Sequence, residues 1–143
     1  MTIYLGADHN GYELKNIVRD HLKNTGHDVE DVGAKTLDPE DDVITFAHAA
    51  ARGVLEEDAN IGVLICGTGQ GMAMAANHMR GIRAALAWDI DSAQASRHDE
   101  NANILVLPSR YIGKDQAISV LEAWLTAKSA SSPQYLHGLD ETE

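Results

Sequence analysis

The stretch NIGVLICGTGQGMAMAAN, residues 60–77, decides how the rest of the chain is read. Its first half, NIGVLICG, is a continuous apolar run that stops at glycine, the pattern of a strand with both faces covered. Such strands belong to parallel sheets, where helices pack on each side. Its second half places Gly67, Gly69 and Gly71 within five positions. Glycine is costly to order, so something there needs a bare backbone. A tight turn, a phosphate cradle and an anion hole beside the thiol of Cys66 all meet that need.

Outward from this strand, short apolar runs alternate with segments of helical spacing. TIYLGA (2–7) reads as a strand, and 11–25 as a helix with Leu14, Ile17, Val18, His21 and Leu22 at helical intervals. HDVEDVG (27–33) reads as a second, more polar strand, and KTLDPEDDV (35–43) as an acid-rich loop broken by Pro39. Residues 43–56 read as a helix, as do Gln70 to His78, 91–98 and Gly113 to Ala127. GIRAALAW (81–88) and ANILVLP (102–108) supply the remaining strands. The alternation predicts an α/β fold: a five-stranded parallel sheet between two layers of helices, joined by right-handed crossovers. One domain over 1–128 is expected, with a polar, loosely held tail over 129–143. Ligands of such sheets bind beyond the carboxyl ends of the strands. Asp8-His9-Asn10, Cys66 to Gly71 and Trp88-Asp89 all fall there.

Composition narrows the function classes. The 143 residues carry a formal net charge of -11, and no Lys/Arg cluster offsets it. That argues against nucleic acid and anionic membrane as partners, but leaves room for a small anion held by a few local donors. The single cysteine excludes an internal disulfide framework and a multi-thiolate metal site, and suits a reducing cytosol. The start, MTIYLGADHNG, lacks the features of a signal peptide, and no apolar run approaches the roughly 20 residues of a membrane span. A soluble cytoplasmic protein, with no metal and no cofactor, is expected.

The glycine loop lacks the Lys-Ser/Thr ending of a P-loop. A dinucleotide fingerprint would want an acid about 20 residues on, where Asp89 stands, so the pattern alone leaves a nucleotide open. The loop does offer N–H groups at a helix start, fit to hold a phosphate or a developing enediolate. Beneath them Cys66 is either a base or a small core hydrophobe. Asp8 and Asn10 suit helix caps, and His9 could bind an anion or move a proton. Arg97-His98-Asp99-Glu100-Asn101 reads by itself as a solvated helix end, and Arg110 as the best-placed cation for a phosphate.

Together GADHNGYELK, VLICGTGQGMAMAANHMRGIRAAL, SAQASR and NANILVLPSR resemble the ribose-5-phosphate isomerase B and galactose-6-phosphate isomerase family, in register from residue 3 to about 127. The resemblance implies a Rossmann-like three-layer sandwich. It also implies a homodimer or tetramer whose sites are shared between subunits. The activity it implies is metal-free aldose–ketose isomerisation of a sugar phosphate through an enediolate, typically ribose 5-phosphate to ribulose 5-phosphate. By position, Cys66 would shuttle the proton with Thr68 assisting, and Asp99 or His98 would open the ring. Substrate would be bound by Asp8, His9, Asn77, Asn101 and Arg110, and by the loop of Gly67, Gly69, Gln70, Gly71, Met72 and Ala73.

Three departures stand out. Asp42-Val43-Ile44 replaces a common Asp-Tyr-Pro. The family's ring-opening histidine aligns with Asp99, leaving His98 one position early, about 100° away on a helix. The tail QYLHGLDETE has no arginine where family members place phosphate-binding ones. These changes admit an isomerase for another aldose or its phosphate (tetrose, allose or galactose type), or a non-catalytic sugar-phosphate-binding subunit.

Overall fold

A computed structural model describes residues 1–140. Among them run β1 (Ile3–Ala7), a 3-10 turn (His9–Gly11), α1 (Tyr12–Asn24), β2 (Val29–Asp31), α2 (Val43–Val54) and β3 (Ile61–Cys66). There follow α3 (Gln70–Asn77), β4 (Ala84–Leu86), α4 (Ile90–Glu100), β5 (Ile104–Pro108), α5 (Lys114–Thr126) and α6 (Pro133–Asp140). The strands form one sheet in the order β2-β1-β3-β5-β4, and each neighbouring pair is parallel.

The pleat explains the unbroken apolar run of β3. Ile61, Val63 and Ile65 point to the face covered by Leu14, Val18 and Leu22 of α1 and Val120, Leu121 and Trp124 of α5. Leu64 and Cys66 point to the other, against Ala47, Ala50 and Ala51 of α2 and Met72 and Ala76 of α3. Alternate residues enter opposite cores, so every position is apolar. Alanines on α2 let that helix lie close to the sheet.

After β1 the chain turns to the α1 layer, whereas after β3 it turns to the α3 layer. That reversal opens a crevice at the carboxyl ends of the central pair. Gly11 makes the crevice wall possible: a Cβ there would lie 2.7 Å from the Ile65 carbonyl oxygen.

The tail departs from expectation. Residues 133–140 form α6, which buries no side chain but is pinned at both ends. The Arg83 Nη1 donates to Asp140 Oδ1 and Oδ2 at 2.8 and 3.1 Å, and the Ala130 N–H donates to His98 O at 2.9 Å. Tyr135 donates to Glu100, and Ser131 to Asp99 O. Ser132 accepts from the Tyr135 N–H, and Pro133 occupies the first helical position, a normal helix start. The last residues of the tail, 141–143, lie outside the described residues. The helix read over 91–98 also runs longer, ending at Asn101 in a left-handed cap with φ 45°.

Candidate active site

Three segments meet above the central strands. The turn after β1 is held by Asp8, whose Oδ1 accepts from the N–H groups of Asn10 and Gly11 at 3.0 and 3.2 Å. The loop after β5 is tied across it: Ser109 Oγ donates to Asn10 O at 2.8 Å. The N–H groups of Ser109 and Arg110 donate to the carbonyls of Cys66 and Gly67 at 2.9 and 2.8 Å. Gly67 lies between the two. A Cβ on it would be 3.5 Å from Arg110 Nη2 and 3.5 Å from Asn10 Cβ, so the Arg110 guanidinium and the Asp8–Asn10 turn flank one backbone opening.

Cys66 is 4% exposed, which fits a core residue. Its sulfur accepts the Gly69 N–H at 3.1 Å. Gly69 takes φ 76° to make that turn, and a Cβ on it would fall 2.4 Å from Leu86 Cδ1. The Gln70 N–H donates to Thr68 Oγ1 at 3.3 Å, and the Ala73 N–H closes the first helical turn on Gly69 O at 3.1 Å. Helix geometry therefore narrows the expected donors of Gly69 to Ala73: those of Gly71 and Met72 remain for a ligand. The Met72 side chain is fully buried, so only its backbone can serve. Val43 stands beside the loop, 3.7 Å from where a Gly71 Cβ would lie, and Asp42 caps α2.

His9 follows Asp8 in the same turn. Its main-chain N–H and ring Nδ1 both donate to Asp41 Oδ1, at 2.9 and 2.8 Å. That hydrogen bond, aided by the charge of Asp8 and opposed by burial, holds the imidazole pKa above its usual 6.5. Asp41 and Ser109 are the contributors that sequence reading missed. Asp41 looked like one more acid of a solvated loop, and only the fold brings it to His9.

Other expected residues lie elsewhere in the chain. Asn77 ends α3 and exchanges two hydrogen bonds with the Ala84 backbone, 2.9 Å as donor and 2.8 Å as acceptor, bracing β4. His98, Asp99 and Asn101 sit at the far edge of the sheet, before β5 begins. The Ile104 end of β5 pairs with Gly62 and its Pro108 end with Cys66, a separation of about 13 Å along the strand. There His98 Nδ1 lies 2.8 Å from Asp99 Oδ1, with both side chains exposed. Asp89 is a helix cap, accepting from the Ser92 N–H in a capping box. Trp88 is exposed and lines an apolar hollow with Thr68, Gln70, Leu86 and Tyr111. Among the described residues no helix is long and apolar enough to cross a membrane.

Comparison with known proteins places this arrangement. A ribose-5-phosphate isomerase B of Mycobacterium tuberculosis is 36% identical over 140 residues, covering 98% of this chain and 86% of that protein. A D-erythrulose-4-phosphate isomerase of Pectobacterium atrosepticum is 38% identical over 133 residues, covering 90% and 84%. The crystal structure of ribose-5-phosphate isomerase B from Mycoplasma genitalium with bound ribulose-5-phosphate superposes with a TM-score of 0.92 at 34% identity, covering 99% of this chain and 97% of that one. The family model Ribose/Galactose Isomerase matches residues 3–137, a span that takes in the thiol, its glycine loop and most of α6. With sequence and fold agreeing over nearly the whole chain, it belongs to the ribose/galactose isomerase family.

Proposed function

We propose that the chain is an aldose–ketose isomerase that interconverts ribose 5-phosphate and ribulose 5-phosphate through a cis-enediolate. The observation that carries this is the Cys66 sulfur at a strand end, receiving the Gly69 N–H at 3.1 Å, under helix-start donors. A thiolate there takes the proton from C2 of the open-chain aldose, and the electron pair moves onto the C1 oxygen. Donors of Gly71 and Met72 stabilise the resulting negative charge. The thiol returns the proton to C1 while the O2 proton passes to O1, giving the ketose with all atoms retained. The Thr68 hydroxyl stands beside the path to hold a substrate oxygen, and Asp8 borders the sugar. Arg110 and His9 supply positive charge for the phosphate.

Because His98, Asp99 and Asn101 lie at the opposite sheet edge from Cys66, they take part only if a second copy presents them. We therefore place the working unit as a homodimer or tetramer with shared sites, in the reducing cytoplasm where Cys66 stays a thiol.

A second reading is favoured by the carboxylate of Asp99 where a ring-opening imidazole is expected. A tetrose 4-phosphate carries its phosphate on the hydroxyl that would close a five-membered ring, so it needs no ring opening. One relative is a D-erythrulose-4-phosphate isomerase. The test is a panel of ribose 5-phosphate, erythrulose 4-phosphate, allose 6-phosphate, galactose 6-phosphate and the free sugars. Turnover of ribose 5-phosphate above the rest is expected. Preference for the tetrose selects the second reading, and turnover of none overturns the isomerase assignment.

A further inference from the structure

We infer that Asp41 is the positioning residue that keeps His9 oriented and protonated as the second cation for the substrate phosphate, a role that rests on the isomerase reading above. The geometry is that of a clamp. One oxygen, Oδ1, takes both the main-chain N–H and the ring Nδ1 of His9, at 2.9 and 2.8 Å. A single acceptor bound to backbone and ring of the same residue fixes the side-chain torsions, and leaves Nε2 as the ring's remaining donor.

The clamp is itself held by a built loop. Asp38 organises it: its carboxylate accepts from the Glu40 N–H at 3.0 Å, and its carbonyl from the Asp41 N–H at 3.2 Å. Asp42 then caps α2 through the Thr45 N–H at 3.1 Å. Between these two ordinary duties Asp41 turns inward, its side chain only 10% exposed. Its second oxygen, Oδ2, is buried with no hydrogen-bond partner among the described residues. A carboxylate in that condition is costly unless a positive charge lies beside it, and the His9 imidazolium is that charge.

The charged groups acting on His9 are Asp41 on the loop before α2 and Asp8 on its own turn, both anionic; the Arg110 guanidinium stands across Gly67 from Asn10 of that turn. A phosphate dianion approaching a chain of net charge -11, with no arginine in its tail, gains from a fixed cation in addition to Arg110. The sign follows: phosphate affinity through His9 is present below the raised pKa and is lost as pH rises through it.

The experiment is steady-state kinetics on ribose 5-phosphate, or erythrulose 4-phosphate where that is the better substrate, from pH 5.5 to 8.5. It compares wild type, Asp41→Asn, His9→Asn and the double variant. Asp41→Asn is expected to raise KM about tenfold near neutral pH, the worth of one charge-assisted hydrogen bond, with kcat within about twofold. The gap in KM closes toward pH 5.5, where the imidazole protonates unaided. On the His9→Asn background Asp41→Asn changes nothing further. A KM increase that is the same at every pH, a loss in kcat alone, or additive losses in the double variant would overturn the role. Should Asp41→Asn fail to fold, ¹⁵N NMR titration of His9 in the wild-type protein decides. Titration above 6.5 supports the clamp, and titration at or below it refutes the clamp. That titration needs no turnover, so failure of the clamp and failure of the isomerase reading remain distinguishable.

Discussion

Gly69→Ala isolates the cost of the loop that aims an N–H at Cys66. Gly69 holds φ 76°, where a residue with a Cβ is disfavoured by roughly 1–2 kcal/mol. The new methyl would sit 2.4 Å from Leu86 Cδ1 and 3.4 Å from Val106 Cγ1. Leu86 is half-buried and its Cδ1 is the end of a flexible side chain, so moving it adds roughly 1 kcal/mol, the low end of overpacking. A destabilisation of about 2–3 kcal/mol follows, a large part of the 5–15 kcal/mol typical of a whole domain. With a urea m-value of about 2 kcal/mol/M, the unfolding midpoint should fall by about 1–1.5 M at unchanged m. Gly71→Ala is the matched control two residues on. Its Cβ meets only Val43 Cγ2 at 3.7 Å, and alanine in the helix gains about 0.5–1 kcal/mol. Its midpoint should hold or rise. Urea unfolding followed by circular dichroism reads both. A wild-type midpoint for Gly69→Ala, or equal losses for the two, would refute the account of why this loop is glycine-rich.

Two further substitutions test how the fold is held. Lys15 is 1% exposed and donates to both oxygens of Asp31 and to Ala34 O. Lys15→Met leaves a partly covered carboxylate without its main cation, and should cost about 3 kcal/mol in the same assay; a change under about 1 kcal/mol would mean the pair behaves as a surface bridge. Asp89 caps α4, and its hydrogen bonds from Ser92 hold its pKa below 3.8. The cap therefore stabilises above that range and weakens as pH falls through the folded-state value. Asp89→Ala should melt lower than wild type at pH 7, with the difference shrinking below pH 4; a difference independent of pH would reject the charged cap.

The sheet was legible because β3 has to satisfy two cores at once, and only an unbroken apolar run does so. A helix start was legible where a polar cap opens the first turn, as at Asp8, whereas the Asp42 cap emerged only from the structure. The same signal stood at Ser132-Pro133, but the segment that follows buries nothing, so hydrophobic spacing gave no hint of α6. The glycine loop announced itself by its cost in order, and the structure gives the reason: one residue at positive φ directs an N–H onto sulfur. Asp41 could not be picked from the neighbouring acids, because what singles it out is a contact 32 positions away. The cluster at 98–101 was grouped with Cys66 by resemblance, and along one chain it lies a strand's length away. Its place in a site depends on a neighbour, which local pattern does not encode.

The central claim is that the Cys66 thiolate carries a substrate proton between adjacent carbons. The direct measurement is conversion of ribose 5-phosphate, or of the panel's best substrate, in deuterium oxide. Wild type and Cys66→Ala are compared by proton NMR. Wild type should form ketose with solvent deuterium at C1, since a thiol exchanges its proton, and Cys66→Ala should lose at least about 10²-fold in rate, as for removal of a general base. Wild-type turnover in Cys66→Ala would contradict the account.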